Sequence, residues 1–203
     1  MAPEARYAIV LHAGAAESWI GDVASKERNE RLLQKLVCEA TDALARGMTA
    51  VDVATDTVAA LEDHPEFNAG VVDGKTSEYR AVAGLQHVKN PVRLARALLP
   101  ENTPAFLFGE TAEALAAKRG LEMVEISHFT TSKRKQYWDS HVKIARSLAE
   151  DHGTVGAVVL DLHGNLAAAN STGGMTFKLK GRIGDTAVLG AGIWADDRLA
   201  IAW

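Results

Sequence analysis

The segment Gly153-Thr154-Val155-Gly156-Ala157-Val158 sets a threonine where a charged, polar stretch gives way to strand-forming residues. Two readings of Thr154 follow. A β-branched residue is a good first residue of a strand, because it packs well on a pleated surface. Alternatively, backbone cleavage between Gly153 and Thr154 would expose a threonine amine. Such an amine titrates at about 7.7 to 8.0, so near neutrality it can act as the base for its own hydroxyl. Downstream, Arg182 and Asp185 lie three residues apart in Gly181-Arg182-Ile183-Gly184-Asp185. A planar guanidinium matches a carboxylate through two bonds, and an aspartate attracts an ammonium group, so the pair suits a zwitterionic amino-acid substrate. The plain alternative is two turn charges joined in a surface ion pair. The seven histidines form no His-Glu-x-x-His pattern, which gives a zinc site no support. Gly190-x-Gly192 is too short to specify a nucleotide loop. Lys133-Arg134-Lys135 reads as a solvated charge run.

The elements that would carry these residues are legible in outline. Tyr7 to Leu11 reads as a buried strand ending in a tight loop at His12-Ala13-Gly14-Ala15. Apolar residues at Leu32, Leu33, Leu36, Val37, Ala40 and Leu44 predict a helix over 29–46, ended by Gly47. Cys38 on this helix is expected in the core, as free cysteines usually are. Thr49, with Asp52 three residues on, caps a second helix with Val51, Ala54, Val58 and Leu61 facing inward. Residues 61–71 read as loop because Pro65 and Gly70 interrupt them. Pro91 begins a third helix running to Leu99, Phe106–Phe108 is a short strand, and a fourth helix spans Thr111 to Arg119 before Gly120. Residues 130–153 read as an exposed connector. Strands are then expected at Thr154–Leu160, Leu166–Ala169 and Val188–Ala191, punctuated by turn residues. A helical layer followed by a strand meander predicts an α+β fold in one domain over 1–203.

Composition narrows the class. Hydrophobic residues are 47% and charged residues 24% of the 203, with a net charge of −4, the balance of a globular protein rather than of a nucleic-acid binder. A single cysteine rules out an internal disulfide framework. The first apolar run is too short for a signal-peptide core, and no segment is long enough to span a bilayer. A soluble, cytoplasmic protein is expected, with neither nucleic acid nor membrane as a partner.

An ordered series of motifs adds to this reading. Phe67-Asn68-Ala69-Gly70, Asp73-Gly74-Lys75-Thr76, Ala81-Val82-Ala83-Gly84, 90–96 (Asn-Pro-Val-Arg-Leu-Ala-Arg), Gly153–Val158, Gly164–Ala169, Ser171-Thr172-Gly173-Gly174, Gly181–Asp185 and Gly190-Ala191-Gly192 span most of the chain. In order and spacing they resemble the plant-type asparaginase/isoaspartyl peptidase family. Glycosylasparaginase, a sister family, shares the Gly-Arg-x-Gly-Asp element and ranks second. The resemblance implies the N-terminal-nucleophile αββα sandwich and self-cleavage between Gly153 and Thr154. A 1–153 part and a 154–203 part would then stay together as an αβ unit, paired into a dimer of such units. It implies hydrolysis of L-asparagine and β-aspartyl dipeptides, with Thr154 as nucleophile, Thr172 aligning it and Asn68 supporting it. Arg182, Ile183, Gly184 and Asp185 would bind substrate. No cofactor is required, although the backbone carbonyls of Leu61, Glu62, His64, Phe67, Ala69 and Val71 match positions around a structural sodium ion.

Three departures from the family pattern bear on activity. The family reads His-Gly-Gly-Ala-Gly where this chain has His12-Ala13-Gly14-Ala15-Ala16, and alanine would be strained if positive φ were required there. Relatives have about twenty more residues between the Phe-Asn-Ala-Gly and Asp-Gly-Lys elements, so a central strand would be missing and its neighbours left with unpaired backbone groups. A Thr-Gly-x-Gly element that supplies oxyanion donors in relatives would follow Trp203. These departures make the expected sandwich incomplete. They also support a second reading, in which the chain is an inactive relative that serves as a binding partner, or an incomplete gene product.

Overall fold

The structure, a computed structural model, describes residues 6–14, 23–62, 67–100, 105–130, 135–136, 139, 153–174 and 178–203. The N-terminal half gives β1 (Ala8–His12), α1 (Val23–Ala45), α2 (Ala50–Leu61), β2 (Asn68–Asp73) and β3 (Glu78–Ala83). It continues with α3 (Pro91–Leu98), β4 (Phe106–Phe108), α4 (Gly109–Lys118) and a 3-10 turn at Ile126–Phe129. After the connector come β5 (Thr154–Leu160), β6 (Leu166–Thr172), β7 (Ile193–Ala195) and β8 (Ala200–Ala202). The expected connector lies almost wholly outside the described residues.

Local chemistry sets the helix limits. Gly47 adopts φ +88°, which lets the Met48 N–H reach back to the Ala43 carbonyl at 3.1 Å and close α1. The Thr49 hydroxyl oxygen accepts from the Asp52 N–H at 3.3 Å, capping α2, while the hydroxyl donates to the Asp52 carboxylate at 2.7 Å. The same carboxylate receives Arg96 Nε at 2.8 Å and so ties α2 to α3. The inner face of α1 is narrower than its pattern suggests. Leu36, Ala40, Ala43 and Leu44 are buried, but Leu32 and Val37 are exposed. Cys38 is exposed too, contrary to the core position expected, because it falls outside that arc.

The six-stranded sheet runs β1-β5-β6-β2-β3-β4 and is antiparallel except at β3–β4. It is not a C-terminal meander. The β5–β6 hairpin lies between β1 and β2, so strands from both sides of the connector share one sheet. Asn68–Val71, read as loop from the sequence, form most of β2, and β2 is paired along both edges, to β3 and to β6. The expected gap in the sheet is therefore absent here. The four-residue turn 74–77 joins β2 directly to β3, and neighbouring backbone groups find partners without an inserted strand.

Strand alternation divides the sheet into two faces. Val155, Ala157, Val159, Ala167, Ala169, Ala69 and Val71 face the helices and form the main core with α1, α2 and α3. Val72, Val158 and Ala168 face the other way, against Ile193, Ala195 and Ala200 of the β7–β8 ribbon. The described layers are thus helices, sheet and ribbon, an α+β arrangement. The strand expected at Val188–Ala191 is instead a single bridge at Leu189 followed by a turn, and the ribbon begins at Ile193.

The β5–β6 turn is fastened by Asp161, which is 1% exposed. Its carboxylate accepts from the backbone N–H groups of His163 and Asn165, both at 2.9 Å, and from that of Ala50 at 3.1 Å. Burial pushes its pKa upward, but these bonds and one from the Asn165 side chain outweigh it and hold the carboxyl below its usual range. Because Ala50 opens α2, the turn and the positive end of that helix are held by one charge.

Candidate active site

The ribbon-facing side of the sheet carries the chemistry. Thr154 is paired with Thr172 across β5–β6, and Thr172 with Asn68 across β6–β2. The three therefore occupy one rung at one end of the sheet. The Thr154 hydroxyl donates to Thr172 Oγ1 at 3.3 Å. Thr172 Oγ1 also accepts from the Gly174 N–H at 3.0 Å, which fixes it at the strand end. Asn68 is 2% exposed, and its Oδ1 accepts from the Gly84 N–H at 3.0 Å. Its Nδ2 is buried and finds no hydrogen-bond partner among the described residues, so none of them engages this donor beside Thr172.

A third hydroxyl completes this group. Thr186 Oγ1 lies 3.2 Å from Thr154 Oγ1, and Thr186 is 3% exposed. Sequence reasoning missed it, although it directly follows the Gly181–Asp185 element. Its loop is anchored on three sides. The Tyr79 hydroxyl donates to the Ala187 carbonyl, and burial pushes that phenol up to about 12. Asn170 Nδ2 and the Trp203 N–H both donate to the Gly192 carbonyl, at 2.6 and 2.9 Å. A Cβ at Gly192 would lie 2.7 Å from Thr186 Cα, so this tight return of the loop needs glycine. Asn170 opens a sequence pattern for glycan attachment, but it is fully buried.

The next rung aligns His12, Gly156, Asn170 and Gly70. Among the described residues, His12 Nε2 and Asn170 Oδ1 are buried and find no hydrogen-bond partner, and burial lowers the His12 pKa. Gly14, just beyond β1, has φ +83°, whereas Ala13 does not take positive φ. The glycine this loop needs at 14 is present, and the strain expected at 13 does not arise. Ala15 and Ala16 lie outside the described residues.

The Arg182–Asp185 segment reaches this centre through its junction with Thr186. Arg182 Nη1 folds back to within 3.3 Å of a Cβ built on Gly184. Ile183 and Asp185 are exposed. Among the described residues no ion pair joins Arg182 to Asp185, so the surface-pair alternative is not what the side chains do. Lys178 Nζ donates to the Gly173 carbonyl at 3.1 Å and sits 5.5 Å over the Phe67 ring, on the same side as the Thr172 turn.

The residues suggested for a sodium ion do not form one loop. Leu61 ends α2, Glu62 follows it, and His64 is outside the described residues. Phe67 O accepts from Leu85 N–H at 3.1 Å. Ala69 and Val71 lie in β2 with ladders on both edges, and an antiparallel ladder engages every carbonyl of such a strand. Among the described residues there is also no cluster of three or more His, Cys, Asp or Glu side chains. The Glu62 side chain has a structural role of its own. It is 4% exposed, and its carboxyl accepts from the Val92 N–H and from Asn90 Nδ2, both at 3.1 Å, with the Ser171 hydroxyl also in reach. It holds the start of α3 against the helix side of β6, one residue from Thr172. Burial pushes its pKa up to about 7 against the opposing pull of these bonds.

Hydroxyls gathered on a strand's first residue, on a rigid sheet, form a centre that can support a nucleophile. Comparison with known proteins agrees in class. A family profile described as Asparaginase matches residues 5–202. The chain is 38% identical to the isoaspartyl peptidase of Escherichia coli K12, covering 93% of this chain and 68% of that protein. It is 37% identical to the isoaspartyl peptidase/L-asparaginase of Homo sapiens, covering 93% and 67%, and 36% identical to the isoaspartyl peptidase of Salmonella typhimurium, covering 93% and 69%. The chain thus spans about two thirds of the length of these relatives. It belongs to the asparaginase family of hydrolases. No described helix is long and apolar enough to cross a membrane.

Proposed function

We propose that this chain is a threonine-nucleophile amidohydrolase that hydrolyses L-asparagine and β-aspartyl dipeptides, as the names of its relatives suggest. The observation that carries the reading is the rung Thr154–Thr172–Asn68, with Thr154 Oγ1 3.3 Å from Thr172 Oγ1 at the first residue after Gly153. Thr154 Oγ attacks the Gly153 carbonyl carbon, the Gly153–Thr154 C–N bond breaks, and the threonine nitrogen takes the hydroxyl proton. Water then hydrolyses the resulting ester. The freed amine acts as base for the same hydroxyl. In turnover, Oγ attacks the side-chain carbonyl of the substrate, ammonia or an amino acid leaves with a proton, and water releases aspartate from the ester on Thr154.

Arg182 pairs with the substrate α-carboxylate and Asp185 with its α-ammonium, while Ile183 and Gly184 shape the segment between them. Thr172 and Asn68 act as aligning and supporting groups. The sheet topology supports continued association of the 1–153 and 154–203 parts, because β1 pairs with β5 and β2 with β6. We propose an αβ unit of this kind, paired into a dimer of such units and working in the cytoplasm. The test is self-cleavage of the purified chain before Thr154, followed by ammonia release from asparagine.

A further inference from the structure

We propose that Thr186 is a positioning residue for the nucleophile, its hydroxyl donating to Thr154 Oγ and holding that oxygen in its attacking rotamer. This rests on the reading of Thr154 as nucleophile and adds a group to it.

The direction of the bond follows from counting protons. A threonine hydroxyl has one proton and two acceptor positions. The Thr154 proton is directed to Thr172 Oγ1. The contact at 3.2 Å between Thr154 Oγ1 and Thr186 Oγ1 then requires the Thr186 proton. Thr172 Oγ1 already accepts from Thr154 and from the Gly174 N–H. The result is a directed chain, Thr186 to Thr154 to Thr172, in which the middle oxygen is held from both sides.

The two neighbours therefore do different work. Thr172 orients the proton that must leave. Thr186 donates to the oxygen that remains, and its bond strengthens as negative charge develops there. The same bond serves when water opens an ester on Thr154. Water oxygen bonds to the carbonyl carbon, the carbon–Oγ bond breaks with its electron pair on Oγ, and a proton originating from the water restores the hydroxyl. Thr186 stabilises the departing oxygen throughout. The anchors support a fixed donor. Thr186 is buried, Tyr79 holds the neighbouring Ala187 carbonyl, and Asn170, on the same sheet face two residues before Thr172, holds Gly192 at the far end of the loop.

The experiment compares the full chain with Thr186→Val, Thr186→Ser and Thr154→Ala, following self-cleavage by intact mass and folding by thermal melting. Valine keeps the shape and removes the donor; serine keeps the donor. Removing a hydrogen bond to a developing charge predicts cleavage slowed roughly ten- to a hundredfold in Thr186→Val. Thr186→Ser should stay within about threefold of the parent, with both variants folded. Cleavage of a folded Thr186→Val chain at the parent rate would overturn the proposal, as would a serine variant as slow as valine. If the parent itself stays whole, the nucleophile reading fails separately. Thr186 is then judged from crystals of the parent and Thr186→Val. A Thr154 side chain that turns away only in the valine variant supports the positioning contact, and an unchanged rotamer overturns it.

Discussion

Replacing Glu62 with glutamine should change how the stability of this fold depends on pH. Glu62 is buried between the end of α2, the start of α3 and Ser171 of β6, with its pKa raised from 4.5 to about 7 by burial. The folded state therefore keeps a proton that the unfolded chain releases at lower pH. Stability from this group is fully present below pH 4.5 and is lost as pH rises to 7 and beyond. A shift of this size corresponds to roughly 3 kcal/mol in total, most of it between pH 5 and pH 8. Glutamine has similar volume and still offers an oxygen to the Val92 N–H, but carries no titrating charge. Urea unfolding of Thr154→Ala and Thr154→Ala/Glu62→Gln chains should be compared from pH 4 to pH 8, the alanine keeping the backbone whole. The glutamine chain should gain on its parent by about 2–3 kcal/mol as pH rises across this range. A difference between the two chains that does not change with pH would refute the placement of a buried, protonated carboxyl at this junction.

Two further outcomes follow from the same sheet. Asp161→Ala leaves the buried N–H of Ala50 and the partly buried N–H groups of His163 and Asn165 without their acceptor, and should lower unfolding free energy by about 3 kcal/mol at neutral pH. Because the Asp161 pKa is lowered, its contribution is present above the ordinary carboxyl value and lost as pH falls through the folded one, so denaturation curves of parent and variant should converge in acid. Gly156→Ala would put a methyl onto Asn170 Oδ1 and His12 Nε2, at a loss of about 1–3 kcal/mol. Since Asn170 anchors the Thr186 loop, self-cleavage measured by intact mass should slow as well, and full-rate cleavage in a folded variant would show that the anchor is not needed.

The reach of the sequence can be judged residue by residue. Helices α1 to α4 were readable because their caps and apolar spacing are local features. Thr49, Gly47 and Pro91 act within one turn of where they stand. The β5–β6 hairpin was readable for the same reason, with strand formers on either side of His163-Gly164-Asn165. β2 was not. Asn68-Ala69-Gly70 has neither alternation nor strand propensity, and it becomes a strand because β3 and β6 supply both of its edges. The β6 edge joins Asn68 to Thr172 and Asp73 to Ala167, a long-range pairing that no local pattern records. The Val188–Ala191 expectation failed in the opposite way. Its strand formers lie in a turn held by long-range bonds from Tyr79 and Asn170. At the site, Thr154 and Thr172 were singled out from motifs, and the register places them side by side. Thr186 was passed over because a threonine after an Arg–Asp element has no signal of its own. Only the return of its loop onto β5 gives it a partner.

The intact mass of the purified 203-residue chain during incubation at neutral pH, beside Thr154→Ala, decides whether Thr154 is the nucleophile. The parent should resolve into two fragments, one ending at Gly153 and the other beginning at Thr154, which remain associated until denatured, while the alanine chain stays whole. A folded parent that remains a single species, or an alanine chain that cuts at the same place and rate, would contradict that assignment.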